Sequence, residues 1–154
     1  MIAGAVGSLQ RRFDFKLVLA GYEPPDLFKG ATFRPWTKFS PELDYFQAFA
    51  DFGVGLCPLA KTPFNEGKSD LKWLEYSALG IPTVASAGRP YEELEDMATG
   101  LLADSADEWE EKTARLLSDK GLRRKLGETA REYVLEKRTI DGSLRLWRDL
   151  FTAI

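Results

Sequence analysis

A turn rich in groups that bind anions lies in the middle of the chain. Residues 62–70 read Thr-Pro-Phe-Asn-Glu-Gly-Lys-Ser-Asp, and a helical apolar pattern follows them. Gly67 permits a close backbone approach or a positive φ, while Lys68 and Ser69 stand beside the free N–H groups of the first helical turn. A phosphate there would meet the helix dipole, a hydroxyl and an ammonium together. An ordinary turn, with Ser69 or Asp70 as the helix cap and Lys68 solvated, fits the same residues.

One carboxylate falls on the side of this predicted helix that should face the core. Placed at about 100° per residue, the inward stripe consists of Leu71, Leu74, Ala78 and Leu79. Glu75 lies within it, roughly 40° from Leu71. Unpaired burial of this charge would cost several kcal/mol. Glu75 should therefore either have a structural role, in an internal salt bridge or at a water-filled edge of the stripe, or face a polar ligand cavity. The sequence leaves both outcomes open, because buried carboxylates mark binding sites only in some proteins.

The composition excludes several classes of chemistry. The 154 residues contain no His and one Cys, which rules out zinc sites of the Cys/His type and Ser-His or Cys-His catalytic pairs. We expect no metal ion and no cofactor. The chain has 21 Lys and Arg against 24 Asp and Glu, a formal charge of −3, and lacks the basic excess typical of nucleic-acid binding. Cys57, in the apolar run 54–59, is expected to be a small buried hydrophobe.

No membrane-spanning segment is predicted. Every apolar stretch falls short of the roughly 20 residues that a spanning helix needs. The N-terminal run meets Arg11 and Arg12 without the apolar region of a signal peptide. Together with the low cysteine content, these features predict a cytoplasmic protein.

Short apolar runs bounded by turn residues predict five strands. The first is closed by Gly21 and the Pro24–Pro25 turn, and the third is the most apolar. The polar run 62–68 is predicted as a loop. The predicted strands are 16–20, 32–36, 54–59, 83–85 and 100–103.

Helical spacing predicts the elements between these strands. Pro41 is a typical first helical residue and Ser40 a possible N-cap, ahead of apolar residues Leu43, Phe46 and Ala50. The helix after the polar turn is predicted over 69–79, ended by Gly80 and Pro82, and a short helix is predicted over 91–97.

The last third of the chain is predicted to be helical. Ser105 and Glu108 form a capping box, and breaks are predicted at Gly121 and near Thr139. The basic residues of this region, including Arg138, lie among glutamates, as on a solvated helix face. Three apolar stripes are expected in the core: Trp109, Leu116 and Leu117; Leu122, Leu126, Tyr133 and Val134; and Ile140, Leu144, Trp147 and Phe151.

Apolar strands that alternate with helices indicate parallel pairing, with helices on both faces of the sheet. We therefore predict a single doubly wound α/β domain over residues 1–154, with a terminal helix at about 139–154. Ligands in such sheets bind at the carboxyl ends of the strands, where loops lead into helices. The loop 60–68 has this position.

The motifs around this loop resemble the carboxyl-terminal, donor-binding domain of group 1 (family 4) glycosyltransferases with the GT-B fold. The resemblance extends over about 16–138 and is strongest over 66–86. Eight residues separate Glu66 from Glu75, one more than is usual in that family. The matching motifs read EG at 66–67, LEY at 74–76, ALGIP at 78–82 and TVAS at 83–86.

This resemblance implies a Rossmann-like half of a GT-B enzyme that binds a nucleoside diphosphate sugar. It implies that Glu75 binds the ribose hydroxyls and that Glu66, the catalytic residue, binds hydroxyls of the transferred sugar. Asn65 and residues 67–69 would complete the donor site, with the diphosphate at 67–69. Carboxylates suit these roles because they accept hydrogen bonds from paired hydroxyls.

The resemblance also implies a partner, an N-terminal acceptor domain that residues 1–154 do not supply. The expected activity is that of a retaining hexosyl-type transferase of two domains. Domain closure aligns the acceptor and excludes water, so this half alone should transfer little or nothing. The same fold is also compatible with a different class of protein, a non-catalytic interaction or nucleotide-binding module with a decayed site.

Overall fold

Parallel strands joined by helices form the framework of the chain. The computed structural model describes residues 2–21, 28, 30–35 and 43–152. Within them β1 pairs with β2 in one sheet, and β4 lies between β3 and β5 in another, with every pairing parallel. The predicted α/β class and all five predicted strands are thus confirmed. The strands are β1 (Val18–Gly21), β2 (Thr32–Pro35), β3 (Gly55–Cys57), β4 (Thr83–Ser86) and β5 (Leu101–Ala103).

Seven helices accompany these strands in the described part of the chain. The first was not predicted from the sequence, and the predicted start at Ser40 and Pro41 lies outside the described residues. None of these helices is both long and apolar enough to cross a membrane. They are α1 (Ile2–Arg12), α2 (Leu43–Gln47), α3 (Pro63–Glu66), α4 (Leu71–Ala78), α5 (Ala106–Ser118), α6 (Lys120–Lys137) and α7 (Ile140–Thr152), with a 3₁₀ turn at Arg89–Tyr91.

The predicted end of α4 is confirmed. Gly80 adopts φ of +71°, a conformation that glycine reaches without strain. Its N–H donates to the carbonyl of Ser77 at 2.8 Å, and that of Ile81 donates to the carbonyl of Tyr76 at 2.9 Å. These bonds satisfy the last carbonyls of the helix and turn the chain into β4.

The predicted start of α5 is also confirmed. The Ser105 hydroxyl accepts from the Glu108 N–H at 3.2 Å, and the Glu108 carboxylate accepts from the Asp104 N–H at 2.7 Å. The next break falls at Asp119, which accepts from the Leu122 N–H at 2.8 Å and caps α6. Gly121 therefore lies in the first turn of α6.

Two local predictions were wrong. The segment 91–97 is not a helix beyond the 3₁₀ turn. The Glu95 N–H donates to the Thr99 hydroxyl and the Met97 N–H to the carbonyl of Gly100, so these donors are taken by a turn. The loop predicted over 62–68 contains α3, because Pro63 suits a first helical position and Thr62 caps the turn.

Two core clusters lie on opposite faces of the β3–β5 sheet. Neighbouring residues of β4 separate them, with Val84 in one and Ala85 in the other, as strand alternation requires. Trp73 is fully buried in the Ala85 cluster, and Trp109 in the Val84 cluster. The buried face of α4 consists of Trp73, Tyr76 and Ser77. The predicted inward stripe, which began at Leu71, is therefore wrong: the buried face is displaced by one or two residues along the helix.

The last predicted stripe does not enter the core. The Trp147 side chain is 57% exposed and stacks on Phe151 with ring centroids 6.1 Å apart. The helical spacing was correct, but no described element covers this face of α7. The prediction of Trp147 as a core residue is therefore wrong, whereas that of Trp109 is confirmed.

Helix α6 packs very closely on the turn after α4, and glycine makes this possible. A Cβ at Gly127 would run into the carbonyl oxygen of Gly80 and lie 2.9 Å from its carbonyl carbon. We expect Gly127→Ala to lower the free energy of unfolding by about 1–3 kcal/mol through overpacking. Urea unfolding followed by circular dichroism measures this.

The matched control is Gly7→Ala in α1, where a Cβ has no neighbour within 4 Å. There alanine should raise the free energy of unfolding by about 0.5–1 kcal/mol, because glycine loses more backbone entropy in a helix. Equal effects at the two sites would contradict the close approach at Gly127.

Cys57 is buried in β3, as predicted, beside Tyr91. Burial raises the pKa of its thiol from 9.0 to about 12. The unfolded chain therefore releases this proton at lower pH than the folded chain, and stability falls as pH rises above about 9.

We expect Cys57→Ala to flatten this alkaline decline. Between about pH 9.5 and about pH 11, the slope of unfolding free energy against pH should become less negative by about 1.4 kcal/mol per unit. Absolute stability will fall because of the cavity, so the slope is the quantity to compare. Parallel curves for the two proteins would show that the thiol does not titrate in this range.

Candidate functional site

A crevice of about 450 Å³ opens between the start of α4 and the 3₁₀ turn. One wall is the segment Glu66–Asp70, and the other is the chain that leaves the carboxyl end of β4. Arg138, at the end of α6, closes one side. This is the position at which open α/β sheets bind ligands. The wall after β4 contributes Arg89, Pro90, Glu92 and Glu93.

The segment that leads into the crevice is held by its own polar groups. Thr62 Oγ1 accepts from the Asn65 N–H at 3.2 Å, and the Asn65 side-chain amide donates to the carbonyl of Ala60 at 2.8 Å. Gly67 then ends α3 with φ of −86°, so the positive φ considered for it is not used. Lys68 Nζ lies 5.3 Å from the centre of the Phe64 ring.

An ion pair fixes the back of the crevice. Both guanidinium nitrogens of Arg138 donate to Asp70, at 2.8 and 3.1 Å, and the Asp70 side chain is 9% exposed. Desolvation opposes the charge on Arg138, but its bonds to Asp70 outweigh this and raise its pKa. The prediction of Arg138 as a solvated residue is thus wrong. The pair joins the end of α6 to the start of α4.

This pairing leaves the start of α4 open. Asp70 occupies the N-cap position but makes no capping hydrogen bond with its side chain. Within the described residues, the N–H groups of Leu71, Lys72 and Trp73 accordingly have no acceptor. Free N–H groups at a helix start favour an anion. The crevice thus combines anion-binding groups with the carboxylates of Glu66, Glu92 and Glu93, which accept from hydroxyls.

Glu75 lies outside the fully buried face of α4, but its side chain is largely shielded from solvent and has internal partners. Its side chain is 10% exposed, and Oε2 accepts from Lys72 Nζ and from the Tyr45 hydroxyl, each at 2.7 Å. Lys72 Nζ also lies 2.6 Å from the Tyr45 oxygen and 5.4 Å from the Phe49 ring centre. Of the two outcomes left open by the sequence, the structure has the internal salt bridge. Glu75 Oε1 makes no hydrogen bond within the described residues.

The predicted site residues thus fall into two groups. Glu66, Gly67, Lys68 and Ser69 line the crevice together. Asn65 holds the preceding turn, and Glu75 lies against Lys72 and Tyr45, away from the crevice lining.

Sequence reasoning missed two cations of the crevice. Arg89 follows β4 at the carboxyl end of the sheet, and the rule that pointed to loop 60–68 would also have pointed to it. Arg138 carried no such signal, because its position depends on a contact with Asp70 across 68 residues of sequence.

The model of a family described as glycosyl transferase-like matches residues 4–149. The chain belongs to this family. No curated protein sequence gives a significant match to this member of the glycosyl transferase-like family.

Solved structures share the fold of this glycosyl transferase-like chain. Sucrose-phosphate synthase from Thermosynechococcus elongatus matches with a TM-score of 0.71 and 22% identity, over 99% of this chain and 43% of that one. The C-terminal domain of a glycosyl transferase group 1 family protein from Francisella tularensis matches with a TM-score of 0.69 and 21% identity, over 90% of this chain and 77% of that one. The predicted resemblance to a GT-B carboxyl-terminal domain is confirmed. The chain spans less than half of the synthase.

We expect Lys72→Met to destabilise the chain, because it leaves the Glu75 carboxylate without its cation. The loss should be about 1–2 kcal/mol, since the Lys72 side chain is 40% exposed and its interaction is partly screened. Adding Glu75→Gln should recover part of this loss, because the amide carries no charge. Chemical unfolding of the two single variants and the double variant measures the coupling.

Lys125→Met, on the exposed face of α6, is the matched control. It should change stability by less than about 0.5 kcal/mol. Additive effects of Lys72→Met and Glu75→Gln would contradict the ion pair.

Proposed function

We propose that this chain is the donor-binding domain of a retaining glycosyltransferase and that the crevice takes a nucleoside diphosphate sugar. The observation that carries this proposal is the convergence of Glu66, Lys68, Ser69 and Arg89 on one opening at the uncapped start of α4. A diphosphate needs cations and free N–H groups, and a sugar needs hydrogen-bond acceptors. The crevice offers both kinds of group.

In this proposal the phosphates lie against residues 67–69. The phosphates accept hydrogen bonds from the N–H groups of α4, the Ser69 hydroxyl and the Lys68 ammonium. Arg89 adds a positive charge on the facing wall. Such fixed donors stabilise the charge that grows on the departing nucleoside diphosphate during transfer. Glu66 accepts from hydroxyls of the transferred sugar.

Glu75 lies outside the crevice lining, so the nucleoside would extend beyond the crevice to reach it. Glu75 is proposed to accept from the ribose hydroxyls through Oε1, because Lys72 and Tyr45 already occupy Oε2. Asn65 contributes by holding the turn through its bond to Ala60. The acceptor would bind to a second domain, and closure of the two domains would align the reactants. Residues 1–154 alone should therefore bind donor weakly and transfer no sugar at a useful rate. We propose the cytoplasm as the place of action.

Titration calorimetry with UDP-, GDP- and ADP-sugars tests donor binding. We expect one of the three to bind, and Lys68→Ala to weaken that binding about tenfold, as expected for a charge-assisted contact. Lys125→Ala, outside the crevice, should leave the affinity unchanged. Glu75→Ala should also weaken binding, with circular dichroism to verify that the variant is folded.

The second candidate is a non-catalytic interaction module. The exposed α7 stripe, with Ile140 and Phe151 79% and 69% exposed, is the observation that favours it. Absence of binding by all three donors, or equal affinity of Lys68→Ala and Lys125→Ala, would contradict the donor site and favour the module.

A further inference from the structure

One carboxylate of the crevice is held by a residue that lies outside the crevice lining. The Tyr133 hydroxyl, on α6, donates to Glu93 Oε2 at 2.9 Å, across 40 residues of sequence. Glu93 follows the 3₁₀ turn and lines the crevice, whereas Tyr133 does not line it. We call this contact the Tyr133–Glu93 anchor. It joins one wall of the crevice to α6.

Tyr133 is itself held in place by its neighbours. Its ring lies against the indole of Trp73, with ring centroids 5.6 Å apart, and Trp73 is fully buried in α4. The Arg138 guanidinium, paired with Asp70, also interacts with the Tyr133 hydroxyl. Burial raises the pKa of Tyr133 above its ordinary value of 10.0, and the bond to Glu93 acts in the same direction. The phenol therefore stays protonated at neutral pH and donates to the carboxylate.

The anchor leaves part of the Glu93 carboxylate available to a ligand. Tyr133 contacts Oε2, and Oε1 accepts no hydrogen bond within the residues that the structure describes. A carboxylate has about four lone-pair sites, so the phenol uses one of them. Of the three glutamates that line the crevice, Glu93 alone has a hydrogen-bonded side chain in the described part of the chain. An acceptor that is already ordered loses less side-chain entropy when a ligand binds.

The charges of the crevice indicate which part of a donor Glu93 would meet. Arg138 is already paired with Asp70, so Lys68 and Arg89 are the crevice cations without a carboxylate partner among the described residues. Under the proposed function these two cations face the phosphates. A carboxylate is repelled by phosphates but accepts hydrogen bonds from hydroxyls. Glu93 is therefore suited to the uncharged part of the donor, the sugar.

We propose that Glu93 is a second sugar-binding residue of the crevice and that Tyr133 is its positioning residue. Glu93 accepts from a hydroxyl of the transferred sugar, alongside Glu66, while Tyr133 fixes the direction of the Glu93 carboxylate without touching the donor. This inference rests on the proposed function, since it assigns a role within the same crevice. Because Glu93 serves the sugar and not the diphosphate, loss of the anchor should weaken recognition of the sugar alone.

Ligand-observed NMR titration of residues 1–154 tests this assignment, because the method measures weak affinities. Each sugar nucleotide is compared with its own diphosphate: UDP-glucose with UDP, GDP-mannose with GDP, and ADP-glucose with ADP. The quantity is the ratio of the two dissociation constants, for the pair that binds the unmodified chain. We expect Glu93→Ala to shift this ratio against the sugar nucleotide by about tenfold. The affinity for the diphosphate should change by less than about twofold.

Tyr133→Phe tests the positioning role. It should shift the same ratio by about threefold, because the carboxylate keeps its charge but loses its fixed direction. Adding Tyr133→Phe to Glu93→Ala should cause no further shift, since the hydroxyl acts only through Glu93. The matched controls are Glu132→Ala, exposed on α6, and Tyr76→Phe, both outside the crevice lining. Both should leave the ratio unchanged, with circular dichroism to verify that every variant is folded.

The results that would overturn this inference differ from those that would overturn the proposed function. If the diphosphate binds and Lys68→Ala weakens it, but Glu93→Ala leaves the ratio unchanged, the donor site stands and Glu93 does not contact the sugar. Equal losses of affinity for the diphosphate and the sugar nucleotide would give Glu93 a structural role only. Additive effects of Tyr133→Phe and Glu93→Ala would contradict the positioning role. If no ligand of the three pairs binds, the proposed function is wrong, and this inference is wrong with it.

Discussion

The ion pair between Asp70 and Arg138 is the contact on which the geometry of the crevice depends. Two hydrogen bonds join the nearly buried Asp70 carboxylate to the Arg138 guanidinium. Removing either partner would leave the other charge unpaired and would destabilise the folded chain. The pair fixes the end of α6 to the start of α4. It also draws the Asp70 side chain away from the helix cap, which leaves the first-turn N–H groups free for an anion. The ion pair that joins the two helices therefore also leaves the start of α4 able to bind an anion.

The two glutamates expected in the donor site have different surroundings. Glu66 is exposed in the crevice, while Glu75 shares one oxygen between Lys72 and Tyr45. Lys72 and Tyr45 also line the larger cavity, of about 800 Å³, between the two sheets.

Local chemistry was sufficient to predict much of the architecture. The capping box at Ser105, the stop at Gly80 and the five apolar strands depend on neighbours within a few residues, and all were found. The segment 91–97 was misassigned because Thr99 and Gly100 compete for its backbone donors. The buried face of α4 was misplaced because aromatic side chains at Trp73 and Tyr76 dominate its packing over leucines at the margin.

Periodicity, capping signals and short motifs were enough to predict the parallel α/β class, the family resemblance and the turn at 66–69. The folded chain adds that Arg89 and Arg138 join that turn and that Glu75 pairs with Lys72 and Tyr45. Capping and strand propensity act between neighbours in sequence, whereas ion pairs join residues that lie far apart in the sequence and meet only when the chain folds.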